Sequence, residues 1–185
     1  MSEIKQKAQA LNEYLVATRR HFHENPESSL KEYDTAAYIQ KELTSFGILF
    51  EKVAETGTLA IIKGGKGEGK TVLLRADIDA LELPDCTGKP YASKRPGLNH
   101  ACGHDAHTTM GLGTARVLNE LKDSFAGTVL IAFQPAEEIG AGAKQFVASG
   151  KIDNIDEFNG TFDVKLGNVI EKLRQVEKED KINEQ

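Results

Sequence analysis

The chain has 185 residues, enough for one sizeable core, and a single domain is the natural expectation. Its 39% hydrophobic and 28% charged content describe an ordinary globular protein, and a net charge of −5 argues against a nucleic-acid partner. No apolar run approaches membrane-spanning length, and Cys86 and Cys102, in a chain whose first residues lack the apolar stretch of a signal peptide, fit reduced thiols in a cytoplasm.

Residues 3–20 carry Ile4, Ala8, Leu11 and Leu15 near helical spacing, which predicts one first helix, interrupted by Asn25-Pro26-Glu27. A second helix follows through Tyr33, Ala36, Ala37, Ile39 and Leu43 until Gly47. ILFEKVA, TLAIIK and TVLLRADI read as three strands. Between the last two lies GGKGEGKT, Gly64 to Thr71, which fits the phosphate-loop template G-x-x-x-x-G-K-[ST]. That template needs a helix after it, whereas TVLLRADI is β-rich, so the octet is expected to be a mobile, solvated hairpin connection and the phosphate-loop match a coincidence.

Prolines and glycines make residues 84–100 a long irregular excursion, and such excursions are often functional. A helix over Ala106 to Leu121, a buried strand GTVLIAF and a short helix over Ala141 to Ser149 complete the pattern. Strands alternating with helices predict a three-layer α/β domain with a mixed sheet. Beyond Gly150 the chain diverges, with Val169, Ile170, Leu173 and Val176 forming the stripe of a terminal helix.

The densest chemistry is NHACGHDAH, Asn99 to His107. Cys102 and His104, two apart in extended backbone, would point the same way and could share one divalent metal. The competing reading is a helix start capped by Asn99 or Asp105. Glu137 and Glu138 follow a buried strand, where α/β sheets place ligands; adjacent carboxylates diverge, which suits one as ligand and the other as proton acceptor. A solvated acidic turn is the plainer alternative. Asp77 and Asp79, leaving a strand, are suited either to orienting ligating histidines or to capping a loop.

Four ordered segments, RRHFHENPESSLKEYDTAAYIQKEL, LLRADIDAL, NHACGHDAHTTMGLG and FQPAEEIGAGA, closely resemble the N-acyl-amino-acid amidohydrolase family of metallopeptidase-like enzymes, from about Arg19 to about Gly150. The resemblance implies a zinc-peptidase-like catalytic domain that hydrolyses the amide of a small N-acyl amino acid at a centre of one or two divalent ions, Mn, Zn, Co or Ni. It makes Cys102, His104 and Glu138 metal ligands and Glu137 the general base. His107, Asp77 and Asp79 would stand behind them, while His21 and His23 would be structural and His100 would line the loop.

The resemblance implies two further histidine ligands; Phe162 stands where the first is expected, Asp163 beside it could substitute as an oxygen ligand, and all five histidines lie at or before His107. The expectation is therefore a partial catalytic domain without the family's lid or dimerisation domain, with an exposed apolar surface through which copies could associate. A non-catalytic binding protein on the same fold, and a phosphate-loop nucleotide hydrolase, are the two other classes.

Overall fold

A computed structural model describes residues 3–159. The terminal helix and the substitute ligand Asp163 lie outside the described residues. The elements run α1 (Glu3–Ala10), α2 (Asn12–Glu24), α3 (Tyr33–Ser45), β1 (Leu49–Val53), β2 (Gly57–Lys63), β3 (Thr71–Asp77), α4 (His104–Glu120), β4 (Thr128–Gln134), α5 (Gly142–Ala148) and β5 (Glu157–Asn159). A 3₁₀ turn, Lys122–Ser124, leads from α4 towards β4. The first helix is two helices, not one. At Leu11 the amide turns to the Ala8 carbonyl, three residues back, and the tightened link buries Leu11.

The five strands form one mixed sheet in the order β1-β2-β4-β3-β5. β4 pairs antiparallel with β2 and parallel with β3, and β3 pairs parallel with β5. Parallel neighbours need a crossover, and α4 supplies it. The apolar run of β4 is explained by burial on both faces. Ile131 and Phe133 join Phe22, Ile39, Leu43 and Leu112 under α2, α3 and α4, while Leu130 and Ala132 face Phe146 of α5 and Ile152. Helices thus flank the mixed sheet, as the alternating pattern implies.

The glycine-rich octet departs from its expected form. β2 and β3 are not neighbours, because β4 lies between them, so GGKGEGKT is a crossing connection and no hairpin. It is also pinned. Gly64 donates to the Gly127 carbonyl at 2.8 Å, Lys66 to Phe125 at 3.1 Å, and Gly67 and Lys70 accept from Gly127 and Thr128 at 2.9 and 3.0 Å. Strand β3 starts at Thr71, so no helix N-terminus faces the loop and the phosphate-binding geometry is absent among the described residues.

The crossing depends on Gly127, whose φ is +84° and whose added Cβ would lie 2.2 Å from the Lys70 carbonyl oxygen. Gly127→Ala is expected to destabilise the fold by more than about 1 kcal/mol, whereas Lys70→Ala, on an exposed side chain, stays within about 0.5 kcal/mol and leaves no nucleotide binding to lose. Urea denaturation of both variants checks the contrast.

Candidate functional site

In the register of β3 against β4, Asp77 stands opposite Gln134, so the carboxyl ends of two parallel strands finish side by side. Ligands in open α/β sheets gather at such ends. From β3 the chain leaves through Asp79 into the long excursion and returns through Gly103, which is left-handed at φ 79° and stands at the N-cap of α4. His104 is therefore the first helical residue, and the extended Cys-Gly-His backbone expected from the sequence is not formed. Nor do Asn99 or Asp105 cap α4: Asn99 bonds Leu81 through its backbone, and the Asp105 carboxylate accepts the amide of Ala106.

Two sets of side chains converge, with their ligand atoms within 4.8 Å of one another: Asp77, His104 and His107, and His104, Glu137 and Glu138. His104 is the shared member. Its Nδ1 lies 2.9 Å from the Asp79 carbonyl oxygen, which can only accept, so Nδ1 carries the proton and Nε2 is the lone-pair nitrogen. Nε2 faces Glu137 at 3.8 Å and Asp77 at 4.0 Å. His107, one helical turn on, approaches Asp77 through Nδ1 at 3.4 Å and stacks on His104 with ring centroids 5.3 Å apart. Glu138 donates its backbone amide to the Asp79 carboxylate at 3.0 Å.

Cys102 is exposed and lies outside both sets, though its thiol borders Glu138. That carboxylate, together with burial, pushes the thiol up to about 11.

Charge is unevenly distributed. Asp77, Asp79, Glu137 and Glu138 gather around His104, while the permanent cation of Arg75 pairs with Asp77 and lies 3.9 Å from Glu137. Burial raises the Asp77 carboxyl above its ordinary value despite Arg75 and the histidines. Glu137 is raised by burial and by the charge of Asp77. At Asp79 burial is outweighed by hydrogen bonds from His104, Ser29 and the Glu138 and Glu137 amides, so its carboxyl is lowered. His104 is raised, because its bond to Asp79 and the two aspartate charges overcome burial, while burial lowers His107. The buried Glu138 Oε1 meets no N–H or O–H donor among the described residues. A divalent cation fits this donor set: it balances the carboxylate surplus and gives that oxygen a partner.

Composition and spacing did not single out Arg75. It stands two residues before Asp77 on a strand, so both side chains share one face, and the alternation is the signal that could have found it. A second polar cluster supports α4 from behind. His23 Nδ1 donates to Asp105 at 2.7 Å, Arg19 Nε donates to the same oxygen at 3.0 Å, and His23 Nε2 lies 3.3 Å from Asp85 in the excursion.

These chains of residues match known proteins. A model of peptidase family M20/M25/M40 matches residues 73–172, more than half of the sequence. The chain belongs to this family. Among curated relatives, the N-acetyl-L-cysteine deacetylase of Bacillus subtilis is 46% identical over 163 residues, covering 86% of this chain and 39% of that protein. IAA-amino acid hydrolase ILR1-like 5 of Arabidopsis thaliana is 44% identical over 149 residues, covering 80% of this chain and 34% of its own length. The M20 chain described here thus spans less than half the length of the curated relatives it matches. Among solved M20 structures, the YXEP protein of Bacillus subtilis, a dinuclear metal binding peptidase, superposes with a TM-score of 0.79 at 41% identity over 82% of this chain and 43% of its own. The four-motif resemblance therefore holds, and so does the α/β fold. No helix among the described residues is long and apolar enough to cross a membrane.

His100 offers a direct check on burial near this M20 centre. It is 4% exposed, and burial pushes its imidazole from 6.5 down to about 4. The folded form holds it neutral while the unfolded chain protonates it near 6.5, so stability is full above that value and falls as pH drops towards 4, by on the order of 3 kcal/mol in all. Denaturant titration of metal-free protein at about pH 7.5 and about pH 5 is expected to record the fall, and His100→Gln to flatten it.

Proposed function

We propose that this chain carries the ion-binding and proton-transfer part of an amidohydrolase centre that cleaves the amide bond of N-acyl amino acids. The observation that carries the reading is the convergence of His104, Glu137 and Glu138 at the paired ends of β3 and β4 in an M20 chain 46% identical to an N-acetyl-L-cysteine deacetylase. His104 through Nε2, Glu138 and Cys102 would hold a divalent ion, Mn, Zn, Co or Ni, and Asp77 with His107 would border a second. Bound there, the ion supplies Lewis acidity towards the acyl carbonyl and the attacking water.

The protein groups divide the remaining work. Asp79 keeps the His104 ring in one tautomer, with Nε2 towards the carboxylates. Glu137 is the general base: its side chain is 40% exposed, so a water can reach it, and burial with the Asp77 charge raises its carboxyl, which favours taking up a proton. It takes a proton from the attacking water and returns it to the departing amine. Arg75 restrains Asp77 and stands behind Glu137. Cys102 would hold such an ion as a thiolate, whereas in the chain alone Glu138 and burial favour the protonated thiol.

The test is metal analysis of the purified chain, then hydrolysis of N-acetyl and N-benzoyl amino acids with added Mn²⁺, Zn²⁺ or Co²⁺. Glu137→Gln is expected to keep the ion and lose at least about 100-fold in turnover. His104→Ala is expected to lose the ion as well. A chain that neither binds an ion nor turns over any such amide overturns the reading.

A further inference from the structure

Glu32 precedes α3 and is fully buried, with 0% exposure. Its Oε1 accepts two backbone N–H groups, from Leu30 at 3.0 Å and from Ala136 at 2.8 Å, and its Oε2 accepts the Thr56 hydroxyl at 2.8 Å. One carboxylate therefore ties together three loops distant in sequence: the segment before α3, the β1–β2 turn, and the turn that leaves β4.

The backbone at these contacts is unusual. Among the described residues, the non-glycine positions with positive φ are Leu30 at 65°, Ala54 at 51° and Ala136 at 50°. Such a conformation is unfavourable for residues with a Cβ and persists where surrounding structure imposes it. Two of them donate to the same oxygen of Glu32, and the third sits in the turn that supplies Thr56.

Ala136 immediately precedes Glu137 and Glu138. Its peptide is gripped on both sides, since its carbonyl accepts the amides of Ala141 at 3.0 Å and Gly142 at 3.2 Å. Gly142 permits this closure: an added Cβ would stand 1.6 Å from the Pro135 carbonyl oxygen. Two residues on, the Glu138 amide is held by Asp79, whose same oxygen takes the Ser29 hydroxyl at 2.7 Å. The acidic pair is thus strung between two buried carboxylates, Glu32 at one end and Asp79 at the other, both bonded to the loop that precedes α3.

We propose that Glu32 is a positioning residue for Glu137 and Glu138: its carboxylate holds Ala136 left-handed and thereby sets the directions in which the two side chains leave the turn. A relaxation of Ala136 to negative φ would redirect the chain at the next residue, carrying Glu138 away from His104. The inference rests on the amidohydrolase reading of that pair, and goes beyond it in assigning what holds the pair in place.

The experiment compares Glu32→Ala, Glu32→Gln and Glu27→Ala in the full chain. Glu27 is the matched control. It is also buried and bonds the Asp34 and Thr35 amides and Arg95, but has no side-chain bond to the acidic turn. Glu32→Gln can keep its oxygen on the Leu30 and Ala136 amides while its NH₂ turns to the Thr56 hydroxyl, so it is the conservative rescue. Two readouts are taken: Co²⁺ affinity by calorimetry, and amide hydrogen exchange of residues 135–142 in metal-free protein.

Glu32→Ala is expected to weaken Co²⁺ binding about 10- to 100-fold and to speed exchange selectively in that segment, with Glu32→Gln and Glu27→Ala close to the unaltered protein. Should Glu32→Ala not fold, Glu32→Asp, one methylene too short to reach Ala136, takes its place with the same expectation. Unchanged exchange at 135–142 in the Glu32 variant, or an equal change in Glu27→Ala, overturns the proposal. If the unaltered chain binds no Co²⁺, the metal reading fails separately and the exchange comparison alone decides the role of Glu32.

Discussion

The pairing of β3 with β4, from Thr71 against Thr128 to Asp77 against Gln134, is the contact from which the rest of the centre is built. Because the strands are parallel, their carboxyl ends coincide, and whatever follows each strand must emerge at the same place. Asp77 and Asp79 emerge from one, Glu137 and Glu138 from the other. The crossover helix α4 that parallel pairing demands begins beside them, which brings His104 and His107 to the same edge. The pairing is held by burial on both faces: Leu73, Leu130 and Ala132 pack on one side, Ala76, Ile131 and Phe133 on the other. A one-residue slip would exchange those faces and displace every carboxylate from its neighbour.

Such a centre stands against a large electrostatic cost. Four carboxylates gathered around His104 repel one another, with one guanidinium beside Asp77 and Glu137, and burial penalises charge. The protein offsets part of this locally. Asp79 stays ionised because hydrogen bonds from Ser29, His104 and the Glu138 amide favour its anion, whereas Asp77 and Glu137, with fewer such bonds, are driven towards the protonated form. The same burial and crowding of carboxylates suit the arrangement to a cation. These charges are costly to bury, and the apolar core on both faces of the sheet is what lets the fold tolerate them.

The excursion between β3 and α4 is irregular but anchored. Asp85 accepts the Thr87 and Ser93 amides at 2.8 Å each, Arg95 spans Glu27 and Asp34, and the Lys94 amide bonds the Glu24 carbonyl. His23 links Asp85 to Asp105, so the loop, α2 and the first turn of α4 are joined through one buried imidazole. In the RRHFHENPE segment, His23 braces the helix that begins with His104, and His21 stacks on Tyr38 with centroids 4.3 Å apart.

Much of this was legible beforehand because it rests on local or periodic signals. Short apolar, β-branched runs mark β2, β3 and β4, helical spacing marks α3 and α4, and the clustering of His, Cys and Glu types in two short segments singles out the candidate ligands whatever the fold. What the sequence could not decide was adjacency. Strand order depends on which apolar faces bury each other across long separations, so the glycine-rich octet has the local composition of a hairpin although β4 lies between its strands. The direction of Cys102 turned on the φ of Gly103, and Glu32, a single acidic residue 104 positions from Ala136, carries no local mark of the bond it makes. Residue chemistry is written in the chain itself; the distances and backbone torsions that make the chemistry converge exist only once non-local packing has been satisfied.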